Sequence, residues 1–472
     1  MATMAIKKKR DFTEGPLFKQ MFLFTIPIIL TALLQICYNM ADNIVVGKFS
    51  GEEFALAAVG ATGPLNGLIV NLLMGIGGGG AIVIAHALGA KDYKKLDRAI
   101  HTSLTFSFLG GIIFGLLFFL ISKPALVLMD INPAFIDLSV LYMRIYAFGV
   151  PASAVYNYTS AIVRSMGDSR TPLIILSTSG LINVGLNLLF VLGFGMDVDG
   201  VALATIISQY VSAVWVVLVL IKRKNAPYKF SFKKLSVDWK ILKESMRLGI
   251  PSGIQASMFS ISNMLIVSSM NTFDPYIYTG YTINTNIDNL LYAVVSSFAT
   301  ACLTFTAQNY GARNRKRINK VLLYSIVQVV TVGLICGVIV LILTKPLAML
   351  FMPENATNID IIMKTTKDLN MLLNTTYFLL GVISVLSGAL RGIGYSILQM
   401  ILYTIGLCGT RVVWVYAVFP ALHSPVGLML CYPASWIVCL ILLGTSRILA
   451  EKKLKEITEP KSNEAKADKA TV

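Results

Sequence analysis

Long apolar runs leave this chain few ways to fold. Ile112–Ile121 and Val211–Ile221 contain no charged side chain, and Leu188–Leu192 is of the same kind. About 20 mostly apolar residues make a helix long enough to cross a bilayer. Backbone amides in lipid must be satisfied within the segment, so each run reads as a helix. Twelve spans are predicted, at 21–47, 54–86, 97–121, 139–163, 170–195, 199–222, 241–270, 281–308, 316–343, 366–390, 394–419 and 426–449. Several exceed the length a bilayer requires, which predicts tilts, bends or extensions into water.

The net charge of +16 raises nucleic acid as a partner. The distribution of charge argues against it. With both termini in the cytoplasm, the outer loops hold Lys48, Lys123, Lys345, Lys364 and Lys367. Arg144 and Arg411 lie inside spans, and the rest of the 40 Lys and Arg fall on cytoplasmic segments. That asymmetry sets the orientation and turns the basic segments toward anionic lipid. The 6 Cys all lie within spans at no metal-ligand spacing, as small core residues would. Residues 1–10 are basic, but the first apolar run is already a full span, so no cleavable signal is expected.

The chain also writes one pattern twice. Leu88-Gly89-Ala90-Lys91 returns 222 positions later as Tyr310-Gly311-Ala312-Arg313, and Lys123-Pro124 returns at the same offset as Lys345-Pro346. Pro27 and Asn39 match Pro251 and Asn263 at an offset of 224. Ser160–Arg164 matches Ser387–Arg391 at an offset of 227. Six spans per half is an even number, so both halves enter the membrane the same way round. The predicted fold is an all-α polytopic membrane protein, with twelve transmembrane helices in two parallel six-helix lobes around a central cleft. The predicted organisation is a cytoplasmic N-terminal segment (1–20), an N-lobe (21–223), a cytoplasmic linker (224–240), a C-lobe (241–450) and a disordered cytoplasmic tail (451–472).

The first span carries Gln35, Tyr38, Asn39 and Asp42, three or four apart and therefore on one helix face. An acid within a span costs about 2.5–3.5 kcal/mol on insertion scales and usually marks an ion or proton path. A carboxyl removed from water either takes up a proton or holds a cation through oxygen ligands. Asn183 and Asn187 share a face of the fifth span, and Thr205 lies on the sixth. Together they could supply carboxylate, amide and hydroxyl oxygens. Hydrogen bonding between helices is the plainer use of each. The repeat is an internal control: Asp42 maps to Ile266, Asn183 to Thr410 and Asn187 to Trp414. Any ion-coupling chemistry is therefore expected in the first lobe. Charges inside spans normally pair, so Asp288 with Arg411 is the expected structural ion pair; Asp42 with Arg144 is the other candidate, and it would favour the charged acid and oppose proton coupling.

Other features carry less. Gly75-Ile76-Gly77-Gly78-Gly79-Gly80 resembles a phosphate loop only superficially, because no Lys-Ser/Thr follows. Close helix packing or a bend explains it better. No nucleotide site is seen, so ATP is not expected as the energy source. His86, His101 and His423 are scattered, and no nucleophile–base–acid set is visible, which argues against an enzyme.

Tyr38-Asn39-Met40-Ala41-Asp42-Asn43-Ile44-Val45-Val46-Gly47, Ala58-Val59-Gly60, Leu88-Gly89-Ala90 and Arg164-Ser165-Met166-Gly167-Asp168 together resemble bacterial multidrug and toxin extrusion (MATE) transporters. The similarity runs over about residues 15–450. It implies a secondary active efflux antiporter that exports organic, often cationic or amphipathic compounds in exchange for H⁺ or Na⁺. It implies no cofactor and no metal beyond Na⁺ at Asp42. Asp42 would be the central ion-coupling residue, with Asn183, Asn187 and Thr205 beside it. Asn187 stands where some members carry Asp. Gln35 and Asn157 match cavity-facing polar positions, and Tyr38 and Asn39 join them as substrate-cavity residues. Pro27 matches a proline at which the first helix bends. The branch with acids in the seventh and tenth helices is not matched, and Phe259 lies near the seventh-helix position. The expected partners are small organic substrates and membrane lipid, with the protein a monomer in the bacterial plasma membrane. A lipid-linked glycan flippase of the wider superfamily is the alternative, but it would need a strongly basic cavity. A membrane-embedded enzyme ranks lower.

Overall fold

The structure, a computed structural model, describes residues 12–52, 54–129, 131–222, 230–352 and 357–458. The expected linker and tail lie partly outside them, at 223–229 and 459–472. The first half contains α1 (Leu17–Phe49), α2 (Ala55–Gly89), α3 (Tyr93–Leu128), α4 (Ile136–Ala147), α5 (Val150–Ser165), α6 (Arg170–Leu188) and α7 (Val198–Lys222). The second contains α8 (Trp239–Met270), α9 (Pro275–Gly311), α10 (Arg315–Ile342), α11 (Thr344–Phe351), α12 (Ile359–Gly392), α13 (Ser396–Tyr403), α14 (Thr410–Val413), α15 (Phe419–Leu422), α16 (Pro425–Met429) and α17 (Cys431–Thr458). Among the described residues there is no strand. Among the described residues eleven helices are long and apolar enough to cross a membrane, or twelve if α4 and α5 form one span bent by 50°. The bend follows from Pro151 in the first turn of α5, whose ring has no N–H to continue the ladder. This is an all-α multi-pass membrane protein.

The chain divides into two compact units. The first contains Ile26–Gly253, and the second contains Phe12–Thr25 and the chain from Ile254 onward. The expected lobes, 21–223 and 241–450, are corrected at both starts. The unit changes inside α1, between Thr25 and Ile26, and inside α8, between Gly253 and Ile254. Pro27 and Pro251 lie within two residues of these changes. A proline removes one ladder hydrogen bond, so an unbroken apolar run can change its packing partners there. The tail is corrected too: α17 continues to Thr458, and Glu451 holds Arg315 at 2.7 Å and Arg447 at 2.8 Å.

The duplication extends to single dihedrals and hydrogen bonds. Lys91 and Arg313 both adopt left-handed backbone, φ 57° and 53°. The next residues cap the following helices: Asp92 accepts from the Lys95 amide at 2.9 Å and Asn314 from the Arg317 amide at 3.1 Å. Gly167 and Gly394 share φ 91° and 90° at the other offset. The Ser139 hydroxyl donates to the Ala58 carbonyl, and the equivalent Thr366 hydroxyl donates to the Gly280 carbonyl, both at 3.1 Å. Each bond ties the second span of a repeat to its fourth.

Within the first unit the glycine run of α2 is a helix-packing surface. A Cβ on Gly75 would strike the Gly253 backbone, and one on Gly79 the Ser245 carbonyl and Gly249. A Cβ on Gly249 would in turn lie 2.6 Å from the Ile76 carbonyl. Two backbones meet here with no room for side chains, as small residues allow in membranes. His101 also has a structural task. It stacks on Phe230 at 5.2 Å and accepts from the Ser231 amide at 3.2 Å, docking the segment before α8 on α3.

Within the second unit Phe12 is fully buried, stacked on Phe305 at 3.8 Å and edge-on to Phe24. Arg317 donates to the carbonyls of Phe12, Glu14 and Gly15 and so holds the segment before α1.

Candidate functional site

The polar stripe of α1 lies against α6. The Tyr38 ring covers Gly180, where a side chain would collide with it, and its hydroxyl donates to the Ser177 carbonyl at 3.0 Å. One turn along α1, Asp42 meets Asn187. The Asn187 amide donates to an Asp42 carboxylate oxygen at 2.5 Å and reaches the Asn183 carbonyl oxygen at 3.5 Å. The Asn183 amide in turn reaches the Thr205 hydroxyl on α7 at 3.4 Å, and Thr205 donates to the Val201 carbonyl at 2.9 Å. The structure thus brings Asp42, Asn183, Asn187 and Thr205 into one chain of polar groups across three helices.

This chain has a dry side. Val45, Val46, Ala58, Val59, Tyr142, Val191, Val201 and Ala202 form one buried cluster from α1, α2, α4 and α7 and the turn after α6. Asn183 is 5% exposed and Asn187 fully enclosed, whereas Asp42 is only partly covered. The two amides are therefore enclosed between two partly covered ends, Asp42 and Thr205. Among the described residues the Asn187 carbonyl oxygen, itself buried, has no hydrogen-bond partner. A charged carboxylate orients the amide nitrogen toward itself and leaves that oxygen free. It is a spare ligand beside Asp42, and the carboxylate, amide and hydroxyl oxygens suit a hard cation. Tyr142 and Tyr146 on α4 border the same place, Tyr142 inside the buried cluster with Val45 and Val46 and Tyr146 packed against it. Sequence reading missed them, although their i, i+4 spacing puts both on one face of α4.

The remaining expected residues are placed less centrally. Asn157 bonds within its own helix, to the Ser153 carbonyl at 2.9 Å and hydroxyl at 3.3 Å. Gln35 is partly buried and Asn39 exposed, on the same stripe as Asp42. Pro27 lies inside α1, where its carbonyl accepts from Thr31 at 2.7 Å.

Neither the expected Asp288–Arg411 pair nor the candidate Asp42–Arg144 pair forms among the described residues. Arg144 is exposed, with its guanidinium 5.3 Å from the centre of the Phe119 ring. Arg411 donates to the Asn263 side-chain oxygen at 2.7 Å and to the Ser435 hydroxyl at 3.4 Å. Asp288 keeps a buried carboxylate oxygen without a partner, while its main-chain carbonyl accepts from Tyr377. Pairing depends on how each helix is rotated about its axis, and span positions alone do not carry that information.

The repeat frame of the sequence is matched independently. The MatE family model fits residues 27–189 and again 251–417, starting at Pro27 and Pro251. The chain belongs to the MatE family. This MatE transporter is 27% identical over 451 residues to the probable multidrug resistance protein YoeA of Bacillus subtilis (strain 168), covering 93% of this chain and 96% of that protein. It is 25% identical over 403 residues to the probable multidrug resistance protein NorM of Thermotoga maritima, covering 83% and 84%. Its fold matches the outward-facing conformation of a multidrug resistance MATE family transporter of the MOP superfamily with a TM-score of 0.86 at 24% identity, over 95% of this chain and 100% of that one. Within this MatE fold, Ile266 is fully buried at the second-unit counterpart of Asp42, so the acid belongs to one repeat alone.

Proposed function

We propose that this chain is a secondary active multidrug and toxin efflux antiporter. It exports organic, often cationic or amphipathic compounds from the cytoplasm in exchange for H⁺ or Na⁺. The plasma membrane holds it with both termini on the cytoplasmic side, in keeping with the distribution of Lys and Arg. The observation that carries the reading is the Asp42–Asn187–Asn183–Thr205 chain, a partly covered acid on two enclosed amides with an unpartnered amide oxygen beside it. The names of the relatives, multidrug resistance and multidrug export proteins, support the substrate class.

The ion acts by changing how α1 sits on α6. With Asp42 charged, Asn187 donates to it. A proton or Na⁺ on the carboxylate competes for the same oxygens, weakens that bond and frees the stretch of α1 beyond Pro27 to repack. The ion drives export only through its different affinity in the two arrangements. Efflux of a fluorescent organic cation from proteoliposomes, under separately imposed pH and Na⁺ gradients, tests this. Export driven by one gradient identifies the ion, and export driven by neither overturns the antiport reading.

A further inference from the structure

We propose that Arg411 forms an anion subsite in the second unit, one that takes the carboxylate of an organic substrate among aromatic rings. The inference rests on the efflux reading for its substrate class. The geometry stands by itself.

The two repeats exchange charge. In the first unit the span-one helix supplies the charge, Asp42, and the span-five helix supplies the amide, Asn187. In the second unit the span-seven helix supplies the amide, Asn263, and the span-eleven segment supplies the charge, Arg411. Asn263 is the counterpart of Asn39, and Arg411 directly follows Thr410, the counterpart of Asn183. The same pair of helices thus presents an anion in one repeat and a cation in the other.

Arg411 is 1% exposed, and its guanidinium faces no carboxylate within ion-pair distance among the described residues. It has five N–H donors. Asn263 takes one well, and Ser435 at 3.4 Å takes another at the edge of hydrogen bonding. A buried cation held only by neutral acceptors and ring faces has capacity left for an anion. Tyr432 lies 4.2 Å and Phe259 5.3 Å from the guanidinium, and Tyr292 stacks on Phe259 at 6.2 Å. Phe259, Asn263 and Tyr432 are themselves only partly covered, so the layer over the charge is thin.

The backbone marks the same place. π-helical segments at Thr404–Gly409 and Trp414–Val418 bracket α14, which carries Arg411. Such widened turns are frequent at functional sites, where they re-aim side chains.

The test uses the full chain, purified, with a carboxyl-bearing rhodamine and its ethyl ester as matched probes. Binding is read by fluorescence anisotropy and transport in proteoliposomes. The expected result is that Arg411→Gln weakens the carboxylate dye by about tenfold or more and leaves the ester within about twofold. Arg411→Lys should restore part of the loss, and retained ester binding reports a folded protein. Equal loss of both dyes, or of neither, overturns the subsite and leaves the efflux reading standing. Arg411-dependent binding of the carboxylate dye without transport of either dye overturns the efflux reading alone. Absence of binding of the carboxylate dye to the parent protein overturns the subsite and leaves the efflux reading to the gradient experiment. Arg411-dependent displacement of the carboxylate dye by phosphatidylglycerol would assign the site to a lipid phosphate and overturn the substrate assignment.

Discussion

Asn187 donates its side-chain amide to Asp42, while its own carbonyl oxygen, enclosed in the same place, receives nothing. The pair is therefore satisfied on the donor side of the amide by a charged acid and left open on its acceptor side. Asn187→Leu keeps a similar volume and removes the donor. A hydrogen bond to a charged group contributes about 1.5–3 kcal/mol, so the variant should unfold at lower temperature and export dye more slowly. A melting temperature and efflux rate equal to those of the parent would show that the bond serves neither stability nor transport.

Tyr38 and Gly180 set the approach of α1 to α6. The ring occupies the space a side chain at position 180 would need. Gly180→Val should destabilise by about 1–3 kcal/mol, the usual effect of overpacking. Adding Tyr38→Ala should recover most of the loss, because the bulk then fills the vacated ring site. Thermal melts of the two single variants and the double variant give the coupling. Strict additivity would contradict the contact.

The glycine run of α2 offers a comparison inside one helix. A Cβ on Gly79 would strike the backbone of α8, which cannot rotate away, whereas one on Gly78 meets nothing within 4 Å. Gly79→Ala should lower the melting temperature and Gly78→Ala should leave it unchanged or raise it slightly, since Ala favours helix by about 1 kcal/mol over Gly. Equal effects would contradict the close crossing of α2 and α8.

Much of this architecture is legible in the residues. The echo at 89 and 311 identifies two turns with the same left-handed residue and the same side-chain cap, because both features follow from local chemistry. The stripe of Asp42 and the i, i+4 pair Asn183 and Asn187 are legible for the same reason: helical periodicity fixes which side chains share a face. What sequence does not carry is rotation and partner choice between helices. Arg411 was expected beside Asp288 and instead meets Asn263, Ser435 and two rings. The segments 12–25 and 239–253 pack with the unit opposite to the one that linear order assigns. Nothing in an uninterrupted apolar run announces that change except a proline near it.

The central claim is that Asp42 couples an ion to export. Its most direct measurement is efflux of a fluorescent organic cation from proteoliposomes containing Asp42→Asn, under the ion gradient that drives the parent protein. The isosteric amide cannot take up a proton and carries no charge for Na⁺. The account predicts that gradient-driven efflux is lost while equilibrium binding of the dye persists. Efflux at the parent's rate would contradict it.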